Sequence, residues 1–326
     1  MCGINGIISK SSDIKLSQII QMNQMIKHRG PDDYGFLKFN NTLLGHVRLS
    51  IQDLSSKGQQ PMSRDGNIWI IFNGEIYNFK EIRIELEKKG YKFISQTDTE
   101  VILAAYEEWG DDCLKKFNGM WAFALLDKAK NQIKIVRDRY GVKPCYIATI
   151  KDKIIFSSEI KGILASKENF KLDSNTAFNA HDVIREKYFK TIYKDINIVE
   201  PGHFYIIDLK TLIINKKRWW FGLENIPLIS PNRKIIEENL VNKLIDATKI
   251  RLVSDVKIAT SLSGGIDSSI IFSILNRFEN ENFLDLNPFI LNFEGNKTFD
   301  AAINFTKSLS KKPVIINSAD KLDKDN

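Results

Sequence analysis

Hydrophobic residues in the first two thirds of the chain fall into short runs separated by turn-forming residues, which is typical of β-strands. Strands are predicted over five of these runs: Ile68–Phe72, Met120–Leu126, Ile133–Val136, Ile154–Phe156 and Phe204–Ile207. The first run is expected to stop at the turn signal Asn73-Gly74. Two helices with capping boxes are predicted after Asn78 and Thr97, each of which has a glutamate three positions later. The pattern therefore predicts many short strands and a few helices.

Beyond residue 232 the pattern changes to alternating helices and strands. Helices are predicted over Lys234–Arg251, Ser268–Asn276 and Phe299–Leu309, and strands over Val256–Leu262, Phe289–Phe293 and Pro313–Ile316. Alternation at this spacing predicts a parallel sheet with right-handed crossovers. Residues 221–232 contain two prolines and no sustained period, so we assign them to a linker between domains at 2–220 and 233–326.

The composition is that of an ordinary globular protein, and it bears on both the class of chain and its partners. Hydrophobic residues make up 43% and charged residues 27% of the 326 positions, which excludes disordered and collagen-like chains. The net charge of +7 is spread along the chain, so no nucleic-acid partner is predicted. Three cysteines without a C-x-x-C pair favour a reducing compartment. Because no apolar run reaches about 18 residues and no signal peptide is evident, we expect a cytoplasmic protein without a membrane partner.

Cys2 follows the initial methionine, and this position has a chemical consequence. If Met1 is removed, Cys2 carries both a thiol and a free α-amine. An α-amine with a pKa of roughly 7.7–8.0 can accept the thiol proton near neutral pH, and the thiolate is the nucleophile. One residue would then supply both nucleophile and base. The alternative is a cysteine that stands at this position by chance.

Seven short motifs occur in order within the first 150 residues. They are MCGI at 1–4, HRGPD at 28–32, GHVRLSI at 45–51, NGEIYN at 73–78, DTEVI at 98–102, GMWAFA at 119–124 and RDRYGVKP at 137–144. Together they resemble class II glutamine amidotransferases, which are N-terminal-nucleophile hydrolases, and within that group the glutaminase domain of glutamine-hydrolysing asparagine synthetases. The resemblance implies an α+β sandwich with αββα layers over roughly the first 210 residues.

The resemblance also implies the chemistry of the first domain. Cys2 would attack the side-chain amide of glutamine. Asn73, through its side-chain amide, and Gly74, through its backbone N–H, would form an oxyanion hole, whose donors act on charge that develops in the transition state. The alternative interpretation of Asn73-Gly74 is a simple turn at the end of a strand.

Free glutamine also carries an α-carboxylate and an α-ammonium, which a selective pocket must bind. Arg48 is the expected carboxylate partner because a guanidinium can bind a carboxylate through two hydrogen bonds. Glu75 and Asp98 would hold the ammonium group. The alternatives are a surface ion pair for Arg48 and a first-turn acid complementing the helix dipole for Asp98.

In the second domain, residues 263–269 (SGGIDSS) stand between a predicted strand and a predicted helix. Two glycines, three hydroxyl groups and a helix N-terminus are typical of a loop that binds phosphate. Asp267 adds a carboxylate of the kind that Mg²⁺ prefers. The alternative is a connector rich in serine and glycine.

This segment resembles the PP-loop of ATP pyrophosphatases, so the second domain is expected to be an α/β parallel-sheet nucleotide-binding domain. By that resemblance the ATP contacts are Leu262, Ser263, Gly264, Gly265, Asp267, Ser268 and Leu291, with Asp267 as a Mg²⁺ ligand. Leu291, on the next strand, would face the adenine. The strand ends are also where parallel sheets bind ligands.

The resemblance implies a glutamine-dependent asparagine synthetase that uses glutamine, aspartate, ATP and Mg²⁺. Its synthetase domain is expected to be incomplete, because the second acidic loop of that family is absent before Asn326. A truncated product, a partner chain that completes the domain, and a vestigial site all remain open, as does a homodimer. Two other functions also remain open: an amidotransferase acting on a different carboxylate, and a fragment with glutaminase or ligand-binding activity only.

Overall fold

The computed structural model describes residues 1–11, 13–173, 190–222, 232–278 and 286–318. The chain forms two compact units, Met1–Ile226 and Pro227–Asn326. Most of the predicted linker, residues 221–232, lies outside the described residues. The predicted domain limits of 2–220 and 233–326 therefore stay predictions.

The described residues of the first unit form two six-stranded antiparallel sheets. One sheet consists of β1 (Gly3–Ser9), β2 (Asp33–Phe39), β3 (Thr42–Arg48), β8 (Tyr146–Ile150), β9 (Lys153–Ser157) and β10 (Ile196–Ile198), in the spatial order β10-β8-β9-β1-β3-β2. The other consists of β4 (Met62–Ser63), β5 (Ile68–Ile76), β6 (Gly119–Asp127), β7 (Gln132–Arg137), β11 (His203–Asp208) and β12 (Ile214–Arg218), in the order β12-β11-β7-β6-β5-β4. The predicted hairpin is confirmed as β6 and β7.

Helices cover the outer faces of both sheets. Among the described residues, the α-helices of this unit are α1 (Leu16–Met25), α2 (Phe79–Lys88), α3 (Asp98–Trp109), α4 (Cys113–Lys116) and α5 (Ile160–Leu164). Helices α1 and α5 pack on the first sheet, where Ile19 and Ile163 join one buried cluster. Helix α3 packs on β5 of the second sheet. The layers are therefore α, β, β and α, and the predicted sandwich is confirmed.

The predicted end of the strand at Asn73-Gly74 is wrong. Strand β5 continues to Ile76, and Gly74 pairs with Trp121 of β6. A Cβ atom at position 74 would lie 2.3 Å from the Met120 carbonyl oxygen, so only glycine allows the two strands to approach this closely. Asn73 and Gly74 therefore lie within a strand, which excludes the interpretation of this pair as a simple turn.

The two predicted capping boxes are only partly correct. Helix α2 begins after Asn78, but the Asn78 side chain bonds Lys116 and Asn118 instead of capping the helix. Thr97 does cap α3, since its hydroxyl accepts a hydrogen bond from the Glu100 backbone N–H at 3.2 Å. The Glu100 carboxylate does not close the box. It accepts hydrogen bonds from the chain just before Thr97, at residues 94 and 95.

The second unit is smaller and contains a parallel pair of strands. In the part of this unit that the structure describes, the α-helices and strands are α6 (Arg233–Lys249), α7 (Ile266–Arg277), β13 (Phe289–Asn292), α8 (Phe299–Ser308) and β14 (Val314–Asn317). Strands β13 and β14 pair in parallel across the α8 connection, as predicted. Leu262, Phe272, Ile290 and Ala302 form a small core between this sheet and the helices.

The predicted buried strand at Val256–Leu262 is wrong. The segment is extended but forms a single parallel bridge, from Ser261 to Phe289, and of its residues only Leu262 is buried. The backbone hydrogen bonds between this segment and β13 are confined to Thr260 and Leu262, so most of the segment does not pair with β13. Across the described ranges, no helix combines the length and the apolar character that crossing a membrane requires.

Candidate functional site

The alternation of side chains brings predicted site residues from three strands to one place. Ile4 and Leu44 on the first sheet, and Ile71 on the second, belong to the core between the sheets. Side chains two residues apart on a strand share a face. The same inter-sheet side therefore receives four predicted site residues: Cys2, Arg48, Asn73 and Glu75. Of these, Cys2, Arg48 and Glu75 line one narrow cleft together with Gly74 and Asp98.

The Cys2 thiol lies at the start of β1, against the end of β3. Its Sγ accepts a hydrogen bond from the Leu49 backbone N–H at 3.4 Å and lies 3.6 Å from the Leu49 carbonyl oxygen. Burial raises the pKa of the thiol, and the bond to Leu49 opposes this only in part. A base must therefore remove the thiol proton before Cys2 can act as a nucleophile at neutral pH. Met1, which precedes it, is 57% exposed.

Asn73 lies beside the cleft with an unused amide group. Its side chain is 1% exposed, and neither the amide oxygen nor the amide nitrogen has a hydrogen-bond partner among the described residues. Leaving such a group unpaired costs about 1–3 kcal/mol. A buried amide that bears this cost is a candidate for binding a ligand.

The ladder between β5 and β6 determines where the Gly74 N–H points. The Tyr77 N–H bonds across to the Asn118 carbonyl oxygen, so odd-numbered amides of β5 face β6 and even-numbered amides face away. On the edge of β5 that faces away from β6, the Phe72 N–H donates to the Gln60 side chain at 2.7 Å, and the Ile76 N–H donates to the Asp98 carboxylate at 2.9 Å. The Gly74 N–H lies between these two amides and faces the cleft.

Arg48 is buried, and in the described part of the chain it forms no ion pair. Its guanidinium donates to the backbone carbonyl oxygens of Gln52, Asp53 and Ser55. These hydrogen bonds hold the loop that follows β3. A Cβ atom at Gly58 would lie 2.0 Å from the guanidinium, so glycine makes the space that Arg48 occupies. The surface ion pair considered for Arg48 is therefore excluded, and the guanidinium remains at the wall of the cleft.

Glu75 and Asp98 are a pair of carboxyl groups in the lining of the same cleft. Burial raises the pKa of each carboxyl, and the charge on Asp98 raises the pKa of Glu75 further. The Gln52 side chain donates a hydrogen bond to Glu75. Two carboxyl groups in this position favour a cation between them, since a positive charge relieves their repulsion.

Sequence reasoning gave no role to several residues that build this cleft. Gln52 and Gln60 carry no motif signal, because their roles depend on the fold that brings them to β5. The Lys143 side chain is also buried, and burial lowers the pKa of its ammonium group, while the charges of Glu75 and Cys2 raise it. Arg29, in the HRGPD motif, donates to the Cys2 carbonyl oxygen at 3.0 Å.

The second unit brings the predicted loop and strand together. The Leu262 N–H donates to the Phe289 carbonyl oxygen at 2.9 Å, which places residues 262–268 beside β13 and Leu291. Gly264 has φ of +81°, and a Cβ atom there would lie 2.3 Å from the Thr298 carbonyl oxygen. Asp267 is exposed in the first turn of α7.

The polar groups of this loop bond mainly to one another. The Ser268 hydroxyl lies 3.0 Å from the Ser263 hydroxyl and accepts from the Ser263 N–H, while the Gly265 N–H donates to the Ser263 hydroxyl. The described residues contain no group of three or more His, Cys, Asp or Glu side chains that could hold a metal ion. One carboxylate, Asp267, fits only a metal that arrives with the phosphates of a nucleotide.

Two family sequence patterns match the chain. The sequence pattern of the glutamine amidotransferase domain matches residues 1–220, which is two thirds of the chain. The chain belongs to the glutamine amidotransferase family. The pattern of the asparagine synthase family matches residues 239–314 of the chain.

Individual relatives carry both parts. The chain is 42% identical to a putative glutamine-hydrolysing asparagine synthetase 2 of Methanocaldococcus jannaschii, over 90% of this chain and 60% of that protein. It is 36% identical to glutamine-hydrolysing asparagine synthetase 1 of Bacillus subtilis, over 85% of this chain and 44% of that protein. The chain thus spans about half the length of the curated relatives that it matches.

Among solved structures, the glutamine phosphoribosylpyrophosphate amidotransferase of B. subtilis has the same fold. The two match with a TM-score of 0.52 at 16% identity, over 96% of this chain and 65% of that one. At this identity the match concerns the fold alone.

Proposed function

We propose that the first unit releases ammonia from glutamine with Cys2 as the nucleophile. The observation that carries this proposal is the convergence of a half-buried thiol and a carboxyl pair in one cleft. Beside that cleft lies a buried amide, Asn73, that has no hydrogen-bond partner among the described residues. Removal of Met1 would give Cys2 a free α-amine, which supplies the base that the raised thiol pKa requires.

The residues of the cleft would act in sequence. The α-amine takes the thiol proton, and the thiolate attacks the side-chain carbonyl carbon of glutamine. The Asn73 amide and the Gly74 N–H donate to the oxyanion that forms. Ammonia leaves with the proton returned by the amine, and water hydrolyses the resulting glutamyl thioester to glutamate.

The same cleft would select free glutamine by its two charged ends. Arg48, with its guanidinium already held by three backbone carbonyls, binds the α-carboxylate through its remaining N–H groups. Glu75 and Asp98 bind the α-ammonium. Binding the ammonium favours the ionised form of both carboxyls, so it lowers the pKa values that burial had raised.

We further propose that the whole protein is a glutamine-dependent asparagine synthetase. Its second unit would bind ATP at Leu262, Ser263, Gly264, Gly265, Asp267, Ser268 and Leu291. Mg²⁺ would come with ATP and screen the charge of its phosphates, and Asp267 is the carboxylate placed to meet it. Ammonia from the first unit would convert an activated aspartate carboxylate to the amide of asparagine. A cytoplasmic location fits the three free cysteines.

One experiment tests the glutaminase proposal. Purified wild-type protein and a Cys2→Ala variant are incubated with glutamine, and glutamate is measured. The wild type is expected to release glutamate, and the variant to lose this activity by at least about 10³-fold because no other nucleophile is supplied. Hydrolysis of glutamine by Cys2→Ala at the wild-type rate would contradict the proposal.

A second assay tests the acceptor. Pyrophosphate release that requires both ATP and aspartate is expected of an asparagine synthetase. Release with another carboxylic acid but not with aspartate would replace aspartate as the acceptor and leave the glutaminase proposal intact.

A further inference from the structure

Glu159 lies between β9 and α5 and joins three basic side chains. Its Oε1 accepts hydrogen bonds from Arg29 Nη1 at 3.0 Å and from His28 Nε2 at 2.9 Å. Its Oε2 lies 3.2 Å from Lys161 Nζ. Of these partners only Arg29 is buried, with its side chain 7% exposed. The pair of Glu159 and Arg29 is therefore shielded from water in a way that the other two pairs are not.

Arg29 connects this carboxylate to the cleft. Its Nε donates to the carbonyl oxygen of Cys2 at 3.0 Å, while its Nη1 bonds Glu159. The guanidinium is planar and rigid, so fixing one nitrogen fixes the direction of the others. Two hydrogen bonds in series thus run from Glu159 to the backbone of Cys2.

We propose that Glu159 is a positioning residue for the Cys2 nucleophile, acting through Arg29. This rests on the proposed function of Cys2. The carbonyl group that Arg29 holds is attached to the same α-carbon that bears the thiol side chain and, after removal of Met1, the amine. Holding this carbonyl restricts the rotation that would carry both groups away from the substrate.

The surroundings give a reason why Arg29 needs this partner. A buried guanidinium without a counter-ion is unfavourable, and it will move toward water or toward another carboxylate. Either movement withdraws the donor from the Cys2 carbonyl oxygen. Arg29 Nη2 already has no hydrogen-bond partner among the described residues, so no other acceptor there compensates for the loss of Glu159.

The chain offers matched controls for this inference. Lys161 contacts only the oxygen of Glu159 that does not bond Arg29, so Lys161→Met should leave the Arg29 contact intact. Glu168 forms a similarly half-buried ion pair with Lys153, which begins β9, whereas Glu159 follows the other end of that strand. Glu168→Ala therefore measures the effect of losing an ion pair that does not involve Arg29.

The experiment compares Glu159→Ala and Glu159→Gln with the two controls. For each protein, kcat and KM for glutamine are measured, together with the rate at which iodoacetamide alkylates Cys2, located by peptide mass spectrometry. We expect Glu159→Ala to lower kcat and the alkylation rate by about tenfold or more, with KM within about twofold, because misplacement affects reaction more than binding. Glu159→Gln retains an acceptor for Arg29 and should recover part of both rates.

Other outcomes separate the two proposals. Rates in Glu159→Ala equal to those in Glu168→Ala would overturn the role of Glu159. If Glu159→Ala does not fold, equal rates in Glu159→Gln and the wild type would do so. Wild-type protein that releases no glutamate would contradict the proposed function instead, and the alkylation rates would still decide whether Glu159 positions Cys2.

Discussion

The two units hold their family motifs in different surroundings. In Met1–Ile226 the candidate residues lie between two sheets, where Asn73 is 1% and Arg48 6% exposed. In Pro227–Asn326 the phosphate-loop residues Ser263 and Asp267 are exposed, and the loop hydroxyls bond to one another. Burial in the first unit raises the pKa values of a thiol and two carboxyls, and it leaves the Asn73 amide without a hydrogen-bond partner in the described part of the chain.

This difference predicts how strongly each unit responds to the substitution of a single side chain. The first unit carries groups already held in place, so its activity should respond sharply to single side chains. If the second unit binds a phosphate, it must rearrange its own hydrogen bonds, because the Ser263 and Ser268 hydroxyls are engaged. Single changes there should have smaller effects.

After Cys2 itself, the largest effect is expected at Asn73. Asn73→Ala removes one donor to the oxyanion and should lower kcat for glutamine hydrolysis about 10²–10³-fold. ATP affinity should not change, because Asn73 lies in the other unit. Glutamate release and equilibrium binding of ATP are the two measurements. A loss of ATP affinity in this variant would contradict the separation of the two sites.

His46 provides a test of how the first unit is held together. Its Nε2–H on β3 donates to the Phe72 carbonyl oxygen on β5 at 3.0 Å, so it joins the two sheets, and complete burial lowers its pKa to about 4. The unfolded chain, with a histidine pKa near 6.5, binds the proton first as the pH falls. Stability is therefore lost between about pH 6.5 and pH 4, by about 3 kcal/mol.

Amide hydrogen exchange in β3 and β5 measures this loss within the first unit. In His46→Asn the decrease in protection from pH 6.5 to pH 4 should be smaller than in the wild type. Exchange in α7 and α8 of the second unit should be the same in both proteins. An equal decrease in β3 and β5 of the two proteins would show that His46 does not set the pH dependence.

A smaller effect is expected from the carboxyl pair. Since the pKa values of Glu75 and Asp98 are raised, the pair takes up a proton as the pH falls through neutrality and attracts the glutamine ammonium less. KM for glutamine should rise about tenfold from pH 8 to pH 6. In Glu75→Gln the KM is higher throughout, and its rise should begin at lower pH because Asp98 no longer has a charged neighbour. An unchanged pH profile in the variant would count against the pair.

The smallest effect is expected at Asp267. Asp267→Asn should weaken ATP binding about three- to tenfold when Mg²⁺ is present and change it little without Mg²⁺, since one carboxylate among several oxygens is lost. Glutamine hydrolysis should stay at the wild-type rate. Asp246→Asn on α6 is the matched control. Equal ATP affinities in the two variants and the wild type would remove Asp267 from the site.

Sequence patterns predicted most elements of both units, and the errors have physical reasons. The strand–helix order, the β6–β7 hairpin and the parallel pairing of β13 and β14 followed from periodicity. The end of β5 was misplaced because Asn-Gly usually marks a turn, whereas here glycine is needed for close approach to Met120. Val256–Leu262 had a strand-like composition, but only its end has a neighbour to pair with.

The residues of the candidate site also divide into those that sequence motifs predicted and those that only the structure shows. Motifs supplied Cys2 and the residues on β5, because short-range patterns carry them. Gln52, Gln60 and Glu159 were not found, since each reaches the cleft only through tertiary contacts with residues distant in the chain. The contact between Arg29 and the Cys2 backbone is of the same kind.

The most direct test of the account is the intact mass of an active preparation. After incubation with glutamine and rapid acid quenching, the protein should be lighter than the full chain by one methionine, and a fraction should carry a glutamyl group on Cys2. Full glutamine hydrolysis by protein that still retains Met1 would contradict the claim that the amine and thiol of Cys2 act together.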